Sequence, residues 1–283
     1  MTESKLIQTY HIDDKEFIEL KNLIYEHTGI NLNDHKKELV VSRLSKRLRS
    51  LELISFKEYL HYLKNRDVDQ QELHQMINRI TTNKTDFYRE NHHFEYIMKE
   101  YFPKLIAQQP RGKLVVWSAG CSSGEEPYTL AIVLQEICRV NPQWDYHILA
   151  TDLDTDILTK ASTGIYRSST IAPVPEELRK KYFSPIENEG EMLFQAKPVI
   201  RDKISFYKLN FKLPDYKIKT RFDFIFFRNV MIYFDNDLKN HILTQFHNLL
   251  KENGLIFIGH SESLLFYKDK FQFVKNTIYR KVL

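Results

Sequence analysis

The densest chemistry in the chain lies in Ser118-Ala119-Gly120-Cys121-Ser122-Ser123-Gly124-Glu125-Glu126-Pro127. This stretch follows a short apolar run, Leu114-Val115-Val116-Trp117, suited to a buried parallel strand, and leads into a helical pattern from Glu125 to Arg139. A glycine turn in that place, here through Gly120, brings backbone N–H groups close to a ligand at the positive end of a helix. The next apolar run, Tyr146 to Thr151, ends in Asp152. An acid there can accept both hydroxyls of a ribose. Together these residues mark a site for a nucleoside-containing cofactor.

Charge narrows the choice of cofactor. A dinucleotide fingerprint needs Gly-x-Gly-x-x-Gly, and here the middle position is Ser122, so the turn is less open to a pyrophosphate. Glu125 and Glu126 stand where that phosphate would sit, and would repel it if at least one points inward. The residues alone leave open that both are exposed in the first helical turn. S-Adenosylmethionine carries an ammonium, a sulfonium and a ribose and no phosphate, and it suits an acidic site better than a nicotinamide or a flavin.

The elements that must position this site begin at Lys113, where strands and helices alternate. Helical spacing marks Ile157 to Thr163 and Leu238 to Leu250. Apolar runs mark strands at Phe222–Phe227 and Leu255–Ile258, and Phe271 to Val282 reads as a closing hairpin. Such alternation implies a parallel sheet covered on both faces. Residues 166–207, with prolines and short alternating stretches, read as a β-rich insertion. Residues 1–85 read instead as an all-α domain, with helices over Asp13 to Thr28, Asp34 to Leu51, Ser55 to Lys64 and Gln70 to Thr81. The expected fold is therefore α/β: a Rossmann-like, S-adenosylmethionine-binding domain over 86–283 with a small antiparallel β insertion, preceded by the helical domain.

In the second of those helices Val41, Leu44, Leu48 and Leu51 share one face. Lys36, Arg43, Lys46, Arg47 and Arg49 share the other, against the single acid Glu38. This is either an ordinary solvated face or a surface for an acidic partner. A net charge of +4 over 283 residues is too mild to point to nucleic acid. No stretch approaches the roughly 18 unbroken apolar residues of a membrane span, and the first residues lack the apolar core of a signal peptide. Two unpaired cysteines, Cys121 and Cys138, fit a reducing compartment. His92-His93 reads as a pair on a helix surface, and the histidines show no metal-ligand spacing.

Four stretches resemble the CheR family of chemotaxis receptor glutamate O-methyltransferases. They are Thr81-Thr82-Asn83-Lys84-Thr85-Asp86-Phe87-Tyr88-Arg89-Glu90, Ala119 to Tyr128, Phe227-Arg228-Asn229-Val230-Met231-Ile232-Tyr233-Phe234, and Gly259-His260-Ser261-Glu262-Ser263. They lie in order along nearly the whole chain. One departure is Phe87-Tyr88, where the family has two phenylalanines before the arginine; an aromatic ring is kept.

The resemblance implies a site residue by residue. Asn83, Thr85 and Arg89 cover the methionine end, with Arg89 pairing with the carboxylate. Glu126 faces the polar end, ahead of Glu125. Asp152 holds the ribose, Asn210 and Phe211 flank the adenine, and Asn229 and Val230 follow the fourth strand. Arg89 and Tyr233 are the catalytic candidates, orienting cofactor and acceptor; Tyr233 fits a core tyrosine almost as well. The implied reaction carries a methyl group to glutamates on the cytoplasmic helices of chemotaxis receptors, leaving S-adenosylhomocysteine, with no general base and no metal. Arg43, Lys46, Arg47 and Arg49 would dock on those helices. In part of the family the insertion holds a receptor tether through glycine-containing loops; the matching stretch here, Ser184 to Gln195, has only Gly190. The expected protein is cytoplasmic, monomeric, and engages neither nucleic acid nor the membrane interior. The competing expectation is a non-catalytic module that binds S-adenosylmethionine as a sensor or scaffold.

Overall fold

The computed structural model describes residues 9–283, which form two compact units. The first runs through Thr82, not to residue 85, and takes in Tyr233–Asp235 from much later in the chain. Its helices are α1 (Asp14–Thr28), α2 (Lys37–Ser50), α3 (Phe56–Asn65) and α4 (Gln71–Ile80). Asp13 caps α1 through a reciprocal pair of bonds with Glu16, and Gly29, at φ +74°, ends it in the left-handed region. Phe17, Leu20 and Ile24 of α1 and Val40, Leu44 and Leu48 of α2 are buried at helical spacing. The late segment is tied in by Asn31 N–H donating to the Tyr233 carbonyl (2.8 Å) and by Tyr25 Oη donating to Asp235.

The second unit holds Asn83–Ile232 and Asn236–Leu283. It opens with α5 (His92–Tyr96) and α6 (Phe102–Gln108), joined by a π turn. Then follow β1 (Gly112–Ala119), α7 (Glu125–Val140), β2 (Trp144–Asp152), α8 (Thr155–Thr163), β3 (Ile165–Arg167), α9 (Ser168–Ile171), α10 (Glu176–Tyr182), β4 (Phe183–Asn188), β5 (Glu191–Ala196), α11 (Pro198–Arg201) and β6 (Ile204–Lys208). The unit ends with β7 (Phe222–Phe227), α12 (Asn236–Leu249), β8 (Leu250–Ile258), β9 (Phe271–Lys275) and β10 (Ile278–Lys281).

The main sheet has the order β6-β2-β1-β7-β8-β10-β9, parallel from β6 to β8, with β10 antiparallel to both its neighbours. The runs in β1, β7 and β8 are apolar because consecutive residues, which point to opposite faces of the sheet, are both buried. From β1 the chain builds outward through β2 and β6, then returns to place β7 on the other side of β1. The order reverses there, so a crevice opens at the carboxyl ends of β1 and β7.

Two expectations need correction. The stretch 166–207 is not one insertion: β3, β5 and β4 form a separate antiparallel sheet, but Ile204–Lys208 is β6, paired in parallel with β2. A short strand after a proline-rich segment looks locally like part of that segment, and only its neighbour reveals it. The His92-His93 pair is also misplaced as a surface pair. His92 is exposed, but His93 is fully buried, with its ring edge-on to Phe226 and Phe257 and Nε2 2.9 Å from Thr277 Oγ1. Among the described residues no helix is long and apolar enough to cross a membrane.

Burial, reinforced by the nearby charges of Arg228 and His92, pulls the His93 pKa down to about 2. The unfolded chain takes up a proton there below pH 6.5 and the folded chain does not, so this group costs stability as pH falls. Chemical unfolding should show a loss of about 2 kcal/mol from this residue between pH 7 and pH 5. His93→Gln should flatten the pH profile by that amount; parallel profiles for the two proteins would mean that His93 is protonated in the fold.

Candidate active site

The turn after β1 is held shut by its own chain. The amides of Gly120 and Cys121 both donate to the Thr151 carbonyl of β2 (2.8 and 2.9 Å). Ser122, at φ +49°, donates its amide to Asp152 Oδ2 (2.8 Å), and Gly124 donates to the Cys121 carbonyl (3.1 Å). These four N–H groups have partners within the protein, so they do not form the open nest that a pyrophosphate needs. Gly120 must be glycine for two reasons: its φ is +81°, and a Cβ there would lie 2.6 Å from Val230 Cγ2. The contact binds the turn after β1 to the loop after β7.

Asp152 takes the Ser122 amide on one oxygen and the Asp154 amide on the other (3.1 Å). Burial pushes its carboxyl pKa up, although these amide bonds oppose the shift. Asp154 caps α8 through the amides of Asp156 and Ile157 and accepts from Asn83 Nδ2 (2.8 Å). Ser122 Oγ donates to the Asn83 carbonyl (3.1 Å). Asn83 is thus fixed beside Asp152 from two directions.

Neither Glu125 nor Glu126 points to solvent; they are 3% and 7% exposed. Glu125 accepts from Ser123 Oγ (2.6 Å), and burial raises its pKa. Glu126 accepts from Ser118 Oγ (2.6 Å) and from Arg228 Nε (2.7 Å). Arg228 itself is buried. Its Nη1 donates to the Arg89 carbonyl (2.5 Å) and lies 3.7 Å from Glu90 Oε2, and its guanidinium rests over the rings of Phe94 and Phe226. Glu90 also receives the amide and Nδ1 of His260 (3.1 and 2.9 Å). Burial raises its pKa, but the His260 bonds and Arg228 outweigh that and leave it lowered. One guanidinium therefore serves two carboxylates, and the surroundings stay acidic.

A third carboxylate shapes the far wall. Glu262 accepts the amides of Asn229 (2.9 Å), Met231 (2.8 Å) and Gly259 (2.7 Å), which joins the loops after β7 and β8. Burial raises its pKa against those three bonds. Asn229 sits at φ +60°, and its side-chain Oδ1 is buried with no protein partner. A buried acceptor left unpaired is costly, and the penalty is relieved when a ligand donates to it.

The structure brings together Asn83, Gly120, Glu126, Asp152, Asn229, Val230 and the backbone of Arg89. Leu209 N–H donates to the Asp152 carbonyl (2.9 Å), which places Asn210 next to that group. Phe211 is buried edge-on to Phe227 and Phe246. Arg89 donates through Nη1 to the Lys84 carbonyl (2.9 Å); Thr85 is half-buried in the same segment.

The other candidates belong to the helical unit. Tyr233 is half-buried there. Arg43 caps the end of α4, donating to the carbonyls of Ile80 (2.5 Å) and Thr81 (2.8 Å). Arg47 makes a two-pronged pair with buried Glu72, which Tyr59 Oη also reaches (2.7 Å). Lys46 and Arg49 are exposed. The basic stripe is thus divided between two arginines bound inside the unit and three cations facing water, Lys36 being exposed as well.

Two family models match the chain: the CheR methyltransferase all-alpha domain over residues 15–81 and the CheR methyltransferase SAM binding domain over 83–280. The chain belongs to the CheR methyltransferase family. It is 35% identical to the chemotaxis protein methyltransferase of Borreliella burgdorferi, over 99% of this chain and 98% of that one. It is 37% identical to that of Escherichia coli, over 95% and 91%, and 39% identical to a probable one of Rhizobium etli, over 85% and 89%. As a CheR methyltransferase, the chain binds S-adenosylmethionine in its second unit. The site fits that ligand: its buried carboxylates suit a cation, four amides of its turn are already bonded within the protein, and Asn229 Oδ1 needs a donor. Ser118, Glu90, Arg228 and Glu262 carry the site without having drawn a role from sequence. Their only signal was membership of, or adjacency to, the stretches that carry the resemblance.

Removing Arg228 strands Glu126 and Glu90 in a buried setting. Arg228→Met should lower the unfolding free energy by about 3–5 kcal/mol, and adding Glu126→Gln should restore a large part of it. Simple additivity of the two losses in denaturant titrations would show that the pair is not coupled.

Proposed function

We propose that the chain transfers the methyl group of S-adenosylmethionine to glutamate side chains on the cytoplasmic helices of chemotaxis receptors, working in the cytoplasm. The observation that carries this reading is the acidic, phosphate-excluding cradle with Asn229 Oδ1 left for a ligand donor. The full-length relatives are chemotaxis protein methyltransferases, which supports an acceptor within the chemotaxis system.

When bound, S-adenosylmethionine supplies a methyl group on a cationic sulfur; an acceptor carboxylate oxygen bonds to that carbon as the C–S bond breaks, giving a methyl ester and S-adenosylhomocysteine. A glutamate with a pKa of about 4.3 is already ionised at neutral pH, so no protein group has to remove a proton. The work left to the chain is holding and orienting. Asp152 accepts from the ribose hydroxyls and Glu126 faces the ammonium. Arg89 reaches the carboxylate of the methionine end beside Asn83 and Thr85, and Asn210 and Phe211 flank the adenine. Asn229 Oδ1 takes a further donor, with Val230 and Gly120 closing the contact behind it. Such alignment is worth roughly 7–11 kcal/mol of barrier. Lys46 and Arg49 meet the acidic receptor helix; Arg43 and Arg47 shape the surface from behind.

With a tritiated methyl donor and a chemoreceptor fragment, the label should enter protein and be released by mild alkali, as an ester is. Alkali-stable label would rule out the carboxylate acceptor. By calorimetry, Asp152→Ala should weaken S-adenosylhomocysteine binding at least tenfold; equal affinity would remove the ribose assignment. Changing both Lys46 and Arg49 to Glu should leave stability within about 0.5 kcal/mol and slow receptor methylation at low salt, with the gap closing as salt rises. Arg47→Met should instead lower stability by about 2 kcal/mol, because it leaves Glu72 buried and unpaired. The reverse pattern would exchange the roles of these cations.

A further inference from the structure

Of the four stretches that resemble the CheR family, Gly259-His260-Ser261-Glu262-Ser263 supplies no ligand contact to the function proposed above. It begins directly after β8, whose last pair with β7 is Ile258 with Phe227. Gly259 therefore stands at the same edge of the sheet as Arg228 and Asn229, just beyond the point where the ladder stops.

There one carboxylate takes over from the ladder. Residues 259–262 form a turn closed by Glu262 N–H donating to the Gly259 carbonyl (2.9 Å). The turn brings the Glu262 carboxylate back to the strand ends. Its Oε2 accepts the amides of both Gly259 (2.7 Å) and Asn229 (2.9 Å), and its Oε1 accepts that of Met231 (2.8 Å). Both chains leave the sheet tied to one group. Asn229 is thereby held at φ +60°, a conformation that asparagine tolerates better than most residues.

Gly259 completes the seat. Its own φ lies outside the left-handed region, so the backbone does not call for glycine. Space does. A Cβ on Gly259 would lie 2.3 Å from Asn229 Nδ2, 2.8 Å from its Cγ and 2.9 Å from its backbone N. The carboxamide thus rests on the bare face of Gly259 by its nitrogen arm. The other arm, Oδ1, is the atom left buried without a protein partner. A carboxamide free to turn would also present its NH2, and would lose that freedom on binding.

We propose that Gly259 and Glu262 are positioning residues for the cofactor. Glu262 fixes the backbone of Asn229, Gly259 fixes its carboxamide, and together they aim Oδ1 at a donor on S-adenosylmethionine without meeting the ligand themselves. This rests on the reading of Asn229 as a ligand contact.

The test is a cycle of four proteins: wild type, Gly259→Ala, Asn229→Gly and the two changes together. Calorimetry gives S-adenosylhomocysteine affinity, and thermal unfolding confirms that each protein is folded at the temperature of the titration. Asn229→Gly suits the left-handed φ and keeps the amide that Glu262 holds. Each single change should weaken binding about tenfold, and the double variant should stay within about threefold of Asn229→Gly, because the added methyl has no carboxamide left to displace. Losses that multiply to about a hundredfold in the double variant overturn the proposal. Wild-type affinity in Gly259→Ala, beside weak binding in Asn229→Gly, also overturns it. Wild-type affinity in Asn229→Gly removes Asn229 as a ligand contact, and the proposal with it. Glu262→Gln should weaken binding when Asn229 is present and change nothing when added to Asn229→Gly. No weakening, or equal weakening in both, overturns the proposal, and this second cycle decides the matter if Gly259→Ala does not fold.

Discussion

Arg228 is the one cation on which the site depends. It leaves β7 at the point where the sheet reverses its order and is buried against the rings of Phe94 and Phe226. From there it binds the Glu126 carboxylate, the Arg89 carbonyl and, more distantly, Glu90. Three segments far apart in the chain meet on a single planar fork, which an arginine can serve and a lysine cannot. Two carboxylates on one guanidinium leave the surroundings acidic while keeping each acid in a defined position. That combination lets a buried site attract a cation without collapsing on itself.

Around this centre the polar groups are already placed before any ligand arrives. Ser118 fixes the other oxygen of Glu126, Ser122 and Asp154 fix Asp152, and Glu262 holds three amides of the loops after β7 and β8. A site of this kind has little to reorganise when a ligand enters, and preorganised polar groups of this sort are where an active site gains most. The bonds within the glycine turn act in the same direction: they remove the amides that would welcome a phosphate and leave the acids to choose the ligand.

The parts of this arrangement legible in the sequence were the local ones. Strand, glycine turn and helix follow one another within a few residues, and Asp152 closes the next strand, so period and turn chemistry suffice to place them. The Arg228–Glu126 pair spans 102 positions, and no local pattern announces it. The stripe on α2 illustrates the limit from the other side. Helical spacing correctly groups Arg43 and Arg47 with Lys46 and Arg49, but it carries no information about Glu72 or the end of α4, which claim the first two. His93 and β6 failed for the same reason: their burial and pairing come from Phe257, Thr277 and β2, all distant in sequence.

The central claim is that an acidic cradle centred on Arg228 and Glu126 receives a cationic, phosphate-free nucleoside at the carboxyl ends of β1 and β7. A crystal structure with S-adenosylhomocysteine tests it most directly. The account predicts the ribose on Asp152, the ammonium within hydrogen-bonding distance of Glu126, a donor on Asn229 Oδ1, and the Arg228–Glu126 pair intact. A ligand seated elsewhere, or one that binds only after Arg228 has released Glu126, would contradict it.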